Sequence, residues 1–115
     1  MGNRHTDVYS IAATIYKMLT GETPPDALER RAKIEHSRKE ILTEPRKINK
    51  KISRVTENAI LNALNIRIED RTQTVAQLIA DLTADEPVKR VYGKIKKIDI
   101  YLLFAIFTRN TIIFF

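Results

Sequence analysis

Val8, Ile11, Ala12, Ile15 and Leu19 recur at the three- and four-residue steps of a helix, and Tyr9, Ala13, Tyr16 and Met18 fill its other faces. The polar residues among them are Asp7, Ser10, Thr14, Lys17 and Thr20. A helix that is apolar nearly all round is a buried one, so 7–20 is expected to form the centre of the fold. Thr6 is placed to cap it, and Asp7 suits the positive end of the helix dipole. Gly21 suits the left-handed exit, and Pro24 and Pro25 forbid continuation.

Asp26, with Glu29 three residues on, has the spacing of a capping box and predicts a second helix from Ala27 to about Glu35. Its apolar stripe (Ala27, Leu28, Ala32) is thin, so it should lie on the surface. Residues 37–51 read as an irregular connection broken by Pro45. Ser53 caps a third helix over about 54–64, with Val55, Ala59, Ile60, Ala63 and Leu64 as its buried face. After a turn through Ile66 to Arg71, Thr74 and Gln77 open a fourth helix over about 75–83. Val75, Leu78, Ile79 and Leu82 should face the core, and Pro87 marks the exit. The expected class is all-α: four main helices around 7–20, with a helical part at 1–87 and a tail of a different kind at 88–115.

Charge sharpens this division. The 115 residues carry a net charge of +6, concentrated in two stretches. Residues 30–51 hold nine basic and three acidic side chains, and residues 89–97 hold five basic and none acidic. A cationic stretch attracts phosphate, nucleic acid or anionic lipid. In 30–51 there is no aromatic side chain to stack on a base, so solvation is the favoured reading and no nucleic acid is expected. The pair 54–64 and 75–83 does not read as helix-turn-helix. Its connection is too long and its second helix has no Lys or Arg. In the tail, basic residues precede an apolar run from Ile100 to Phe107, which Thr108, Arg109 and Asn110 interrupt. Eight apolar residues fall well short of the ~20 that a spanning helix needs. An interfacial anchor, a packed element and an interrupted span stand open. Met1 to His5 lead into no apolar run of a secretory signal. A cytoplasmic location is expected, with membrane association through 89–115 as the variant.

Candidate chemistry is sparse. The sequence has no Cys, which excludes disulfides, thiolate metal sites and cysteine nucleophiles. Its three glycines are too far apart for a phosphate-cradling loop. His5 and His36 have no carboxylate at ligand spacing, and Glu69, Asp70 and Arg71 read as a charged turn. Tyr9 and Tyr16, seven apart on one helix, should pack in the core with their hydroxyls bonded or wet.

The order of the pieces adds a resemblance. Thr6 to Tyr16, then Leu19, Thr20, Gly21, Pro24 and Pro25, resembles the central helix of the large lobe of protein kinases, most of all the bacterial branch of eukaryotic-type Ser/Thr kinases. Ala63 and Leu64, then Glu69 to Val75 with Leu78 and Leu82, is similar to the last two helices of that lobe. The likeness covers about residues 2–82. Ala12 stands where many members have Gly, and Thr72 where many have Pro. The resemblance implies that Asp7 is the aspartate that holds the catalytic-loop backbone, and that Arg71 is the arginine that pairs with the glutamate ending the activation segment. Neither partner lies in this sequence, so both residues are expected to be solvated or re-paired.

The sequence has no Gly-rich loop, no His-Arg-Asp and no Asp-Phe-Gly. Phosphoryl transfer depends on the groups that position and neutralise the nucleotide phosphates. The expectation is therefore part of a Ser/Thr kinase that is inactive alone. It has no catalytic, cofactor-binding or metal residue of its own, and ATP and Mg²⁺ belong to a full-length parent. Another class of function stands beside it: a protein-binding module using Arg30, Arg31 and Lys33 on the 27–36 helix.

Overall fold

A computed structural model describes residues 4–92. Among them are five α-helices, one 3₁₀ turn and no strand. The helices are α1 (Arg4–Thr20), α2 (Ala27–Ser37), α3 (Pro45–Ile48), α4 (Arg54–Ala63) and α5 (Val75–Leu82), and the 3₁₀ turn is Ile68–Asp70. The all-α class is therefore as expected. The apolar run of the tail lies outside the described residues. No helix among those described is long and apolar enough to cross a membrane.

The cap signals translate directly into helix starts. The Asp26 carboxylate accepts from the amides of Leu28 at 2.8 Å and Glu29 at 3.3 Å. Ser53 Oγ accepts from Thr56 N at 3.1 Å, and Thr74 Oγ1 from Gln77 N at 3.0 Å. Each supplies an acceptor to a backbone N–H that the first helical turn leaves open. Gly21 has φ +76° and its amide bonds the Lys17 carbonyl at 2.8 Å, closing α1 in the left-handed conformation.

Three expectations about these elements need correction. α1 begins at Arg4, so Thr6 lies inside it rather than capping it. A long-range tie props the earlier turn: Arg71 Nη1 donates to the His5 carbonyl at 2.9 Å. Second, Pro45 opens α3 instead of breaking the chain. It stands in the first turn, where a missing N–H costs nothing. The Arg46 amide then donates to the buried Glu57 carboxylate at 2.9 Å, tying α3 to α4. α2 lies on the surface as expected, with Leu28 76% exposed and Ala32 exposed too. Third, Ile79 on α5 is 57% exposed, while Leu78 beside it is buried. The helical turn of about 100° per residue carries Ile79 past the edge of the contact.

The core is one cluster: Val8, Ala12 and Tyr16 from α1, Leu42 from the α2–α3 connection, Ala59 to Leu61, Ala63 and Leu64 around α4, and Leu78 from α5. α1 packs on α3, α4 and α5. Its buried residues fall on a single stripe at four-residue steps. Ile11 and Met18, seven residues apart on another stripe, are 38% and 77% exposed. Thus α1 is central but covered on one side only, where its composition predicts burial all round. Tyr16 is buried and donates its hydroxyl to the Thr43 carbonyl at 2.7 Å, as a core tyrosine should.

Candidate functional site

Three groups of polar side chains organise the surface that the helices leave. The first is built on Arg71, which follows the 3₁₀ turn. Its guanidinium donates to the carbonyls of Asn65 at 2.8 Å, Ile66 at 2.9 Å and His5 at 2.9 Å. Its Cζ stands 5.1 Å from the centre of the Tyr9 ring. Burial lowers its pKa, the Tyr9 phenol raises it, and the nearby charge of Arg30 lowers it further. No ion pair to Arg71 forms among the described residues. The expectation for this residue is met by re-pairing on main-chain oxygens. Asp7 is exposed in the first turn of α1, so it meets the same expectation by solvation. No hydrogen bond or ion pair brings Asp7 to Arg71.

The second group is built on Arg30, only 2% exposed on α2. Its guanidinium forks onto Glu40, with Nε to Oε1 at 2.9 Å and Nη2 to Oε2 at 2.8 Å. Nη1 donates to the Tyr9 hydroxyl at 3.1 Å and to the Leu64 carbonyl at 2.8 Å. Burial opposes its charge, but the bonds to Glu40 and Tyr9 and their negative potential raise its pKa overall. Burial likewise opposes the ionisation of Glu40. The bonds from Arg30 and from the Leu42 amide, and the Arg30 charge, nevertheless hold that carboxyl below its ordinary range. Tyr9 thus joins the two arginines: its hydroxyl meets Arg30 and its ring lies under Arg71. Arg30, expected on a partner-facing surface, is instead the polar pin that fixes α2 to α1 and α4. Arg31 and Lys33 are exposed, with Arg31 paired to Glu35 one turn on at 3.1 Å.

The third group has no counterpart in the sequence reading. Asn58, Asn62 and Asn65 stand on one face of α4 and its C-terminal end, four and three residues apart. Their Nδ2 atoms donate to the carbonyls of Val88, Lys89 and Val91, each at 2.9 Å. Asn62 Oδ1 accepts from the Val91 amide at 2.8 Å and from Arg90 Nη1 at 3.1 Å. Asn65 Nδ2 also donates to the Asp70 carbonyl at 2.8 Å. From Asn58 to Asn65 the helix rises roughly 10 Å, and the bound chain covers this in three residues, about 3.5 Å each. That is the reach of fully extended backbone. Residues 88–91 therefore run as a strap along α4, across the boundary expected at 87/88. Three asparagines at helical spacing beside buried apolar residues were the available signal.

Chemically these groups bind and brace. Glu69 and Asp70 pair with Arg67 at 2.6 and 3.9 Å, the charged turn expected there. Among the described residues no cluster of three or more His, Asp or Glu is arranged to hold a metal ion. A shallow groove beside Tyr9, Ala13, Lys17, Pro24 and Pro25 holds no nucleophile paired with a base, because Asp26 at its rim is committed to its cap. Compared with protein-family models, curated proteins and solved structures, the chain matches none.

Proposed function

We propose that this chain is the part of a Ser/Thr protein kinase large lobe that follows the activation segment. The nucleotide-handling groups lie outside this sequence, and phosphoryl transfer belongs to the complete enzyme with ATP and Mg²⁺. The observation that carries the reading is α1. Its composition suits burial on every side, yet Ile11 and Met18 stand open on the stripe away from the core. A helix of this kind calls for a second body of protein against its open side. The residues at the α1 start support the same reading. Asp7 is exposed, and Arg71 is desolvated with only carbonyl acceptors. Neither forms an ion pair among the described residues, which leaves both able to take a charged partner. The test is phosphate transfer from ATP to a generic protein substrate by the purified chain. No turnover above the blank is expected, and robust turnover would overturn the reading.

A second reading, a protein-binding module, is favoured by the outer face of α2, where Leu28 is 76% exposed in a helix that also exposes Arg31 and Lys33. Its proper test leaves Arg30 intact, because that residue holds the fold. A partner retained by the chain should be lost on Leu28→Asp with Arg31→Glu, and retention by the double variant would count against a binding face here. Association of 89–115 with a membrane surface is tested by co-sedimentation with anionic liposomes. Equal behaviour with neutral liposomes would end that proposal.

A further inference from the structure

We propose that the Asn58–Asn62–Asn65 rail is a docking groove for an extended basic peptide, which residues 88–91 occupy in cis as a releasable strap. The inference is independent of the kinase reading. The rail reads main chain: three carboxamides take three carbonyls, and Asn62 returns an acceptor to the one amide it meets. This two-way contact is the pairing a strand edge offers, supplied here by side chains of a helix. Main-chain reading sets the geometry of the ligand, and the acceptor that meets Arg90 sets its preference for a donor side chain at that position. Asn62 Oδ1 accepts from Arg90 Nη1 at 3.1 Å, so a guanidinium at this position finds an acceptor although burial lowers its pKa. Arg90 stacks on Tyr92 at 5.1 Å, which stiffens the bound form.

The strap has the features of a separable element. It follows Pro87 and an irregular stretch, not a helix. Lys89, Val91 and Tyr92 are exposed, so hydrogen bonds rather than apolar burial hold it. Segments with few buried apolar contacts open at far lower free energy than a core. While the strap is seated, its tether gives it an effective concentration in the millimolar range, and an outside peptide is excluded.

The experiment uses the full chain and a fluorescent peptide of sequence Glu-Pro-Val-Lys-Arg-Val-Tyr, read by anisotropy. Val91→Pro removes the amide that Asn62 accepts and leaves the rail intact. It should bind the peptide at least tenfold more tightly than the unmodified chain. Adding Asn62→Leu should return affinity at least tenfold toward the starting value. A peptide with Glu in place of its Arg should bind the Val91→Pro chain at least fivefold more weakly. Equal peptide affinity in the unmodified and Val91→Pro chains, or in the single and double variants, would overturn the proposal. Hydrogen exchange supplies a check that needs no proline variant. The Val91 amide should exchange faster than the Ile60 amide in α4, and faster still in Asn62→Leu. Exchange of Val91 as slow as Ile60, or unchanged by Asn62→Leu, would refute a releasable strap held by this rail.

Discussion

Arg30→Met removes the guanidinium at the junction of α2 with α1 and α4, and it keeps most of the aliphatic stem. Four hydrogen bonds go with it: two to Glu40, one to Tyr9 and one to the buried Leu64 carbonyl. A buried acceptor left unmet costs about 1–3 kcal/mol. Breaking a fully buried ion pair by removing one partner costs about 3–5 kcal/mol. The Glu40 side chain is 43% exposed, however, so it rehydrates and its share is discounted. The expected loss is about 2–4 kcal/mol, a fall in Tm of roughly 10–20 °C for a domain of this size. The assay is urea unfolding followed by helical circular dichroism at pH 7. A change below about 0.5 kcal/mol would show that Arg30 is not the pin, because that is the range of an ordinary surface substitution. Glu40→Gln keeps the shape and tests the charge alone. The folded pKa of Glu40 is depressed, so its contribution is complete above the unfolded value of about 4.3 and is lost as pH falls through the lower folded value. The stability gap between the unmodified chain and Glu40→Gln should therefore narrow below about pH 4. A gap that widens on acidification would reverse the assigned sign.

Leu78→Ala should cost about 2–5 kcal/mol and Ile79→Ser under about 0.5, because only Leu78 is buried. Equal losses in urea unfolding would put Ile79 back in the core. Gly21→Ala should cost about 1 kcal/mol through its positive φ alone, as an added Cβ meets nothing within 4 Å. Thermal unfolding checks this, and a stabilised variant would contradict the left-handed exit. Tyr16→Phe removes the bond to the Thr43 carbonyl and should lower stability by about 0.5–1.5 kcal/mol in the same denaturant assay. A neutral result would mean that water replaces that bond fully.

Helix starts were the most legible part of the fold. Asp26, Ser53 and Thr74 each accept a first-turn amide where the cap pattern places them, because capping is local and needs no tertiary partner. Burial was less legible. Periodicity shows that α1 has apolar faces but not which of them is buried, and Ile11 and Met18 stay exposed. Polar long-range contacts left the faintest trace. A run of Lys and Arg reads as a solvated surface, yet Arg30 within it is the buried pin, since only Glu40, Tyr9 and the Leu64 carbonyl together make its burial tolerable. The asparagine rail was hidden for the same reason: its acceptors are main-chain atoms near residue 90, which any sequence could supply.

The DNA immediately upstream of the Met1 codon tests the kinase reading most directly. That reading predicts a reading frame, continuous or displaced by a frameshift, that encodes Asp-Phe-Gly and, before it, His-Arg-Asp. An upstream region with neither motif in any frame would contradict it.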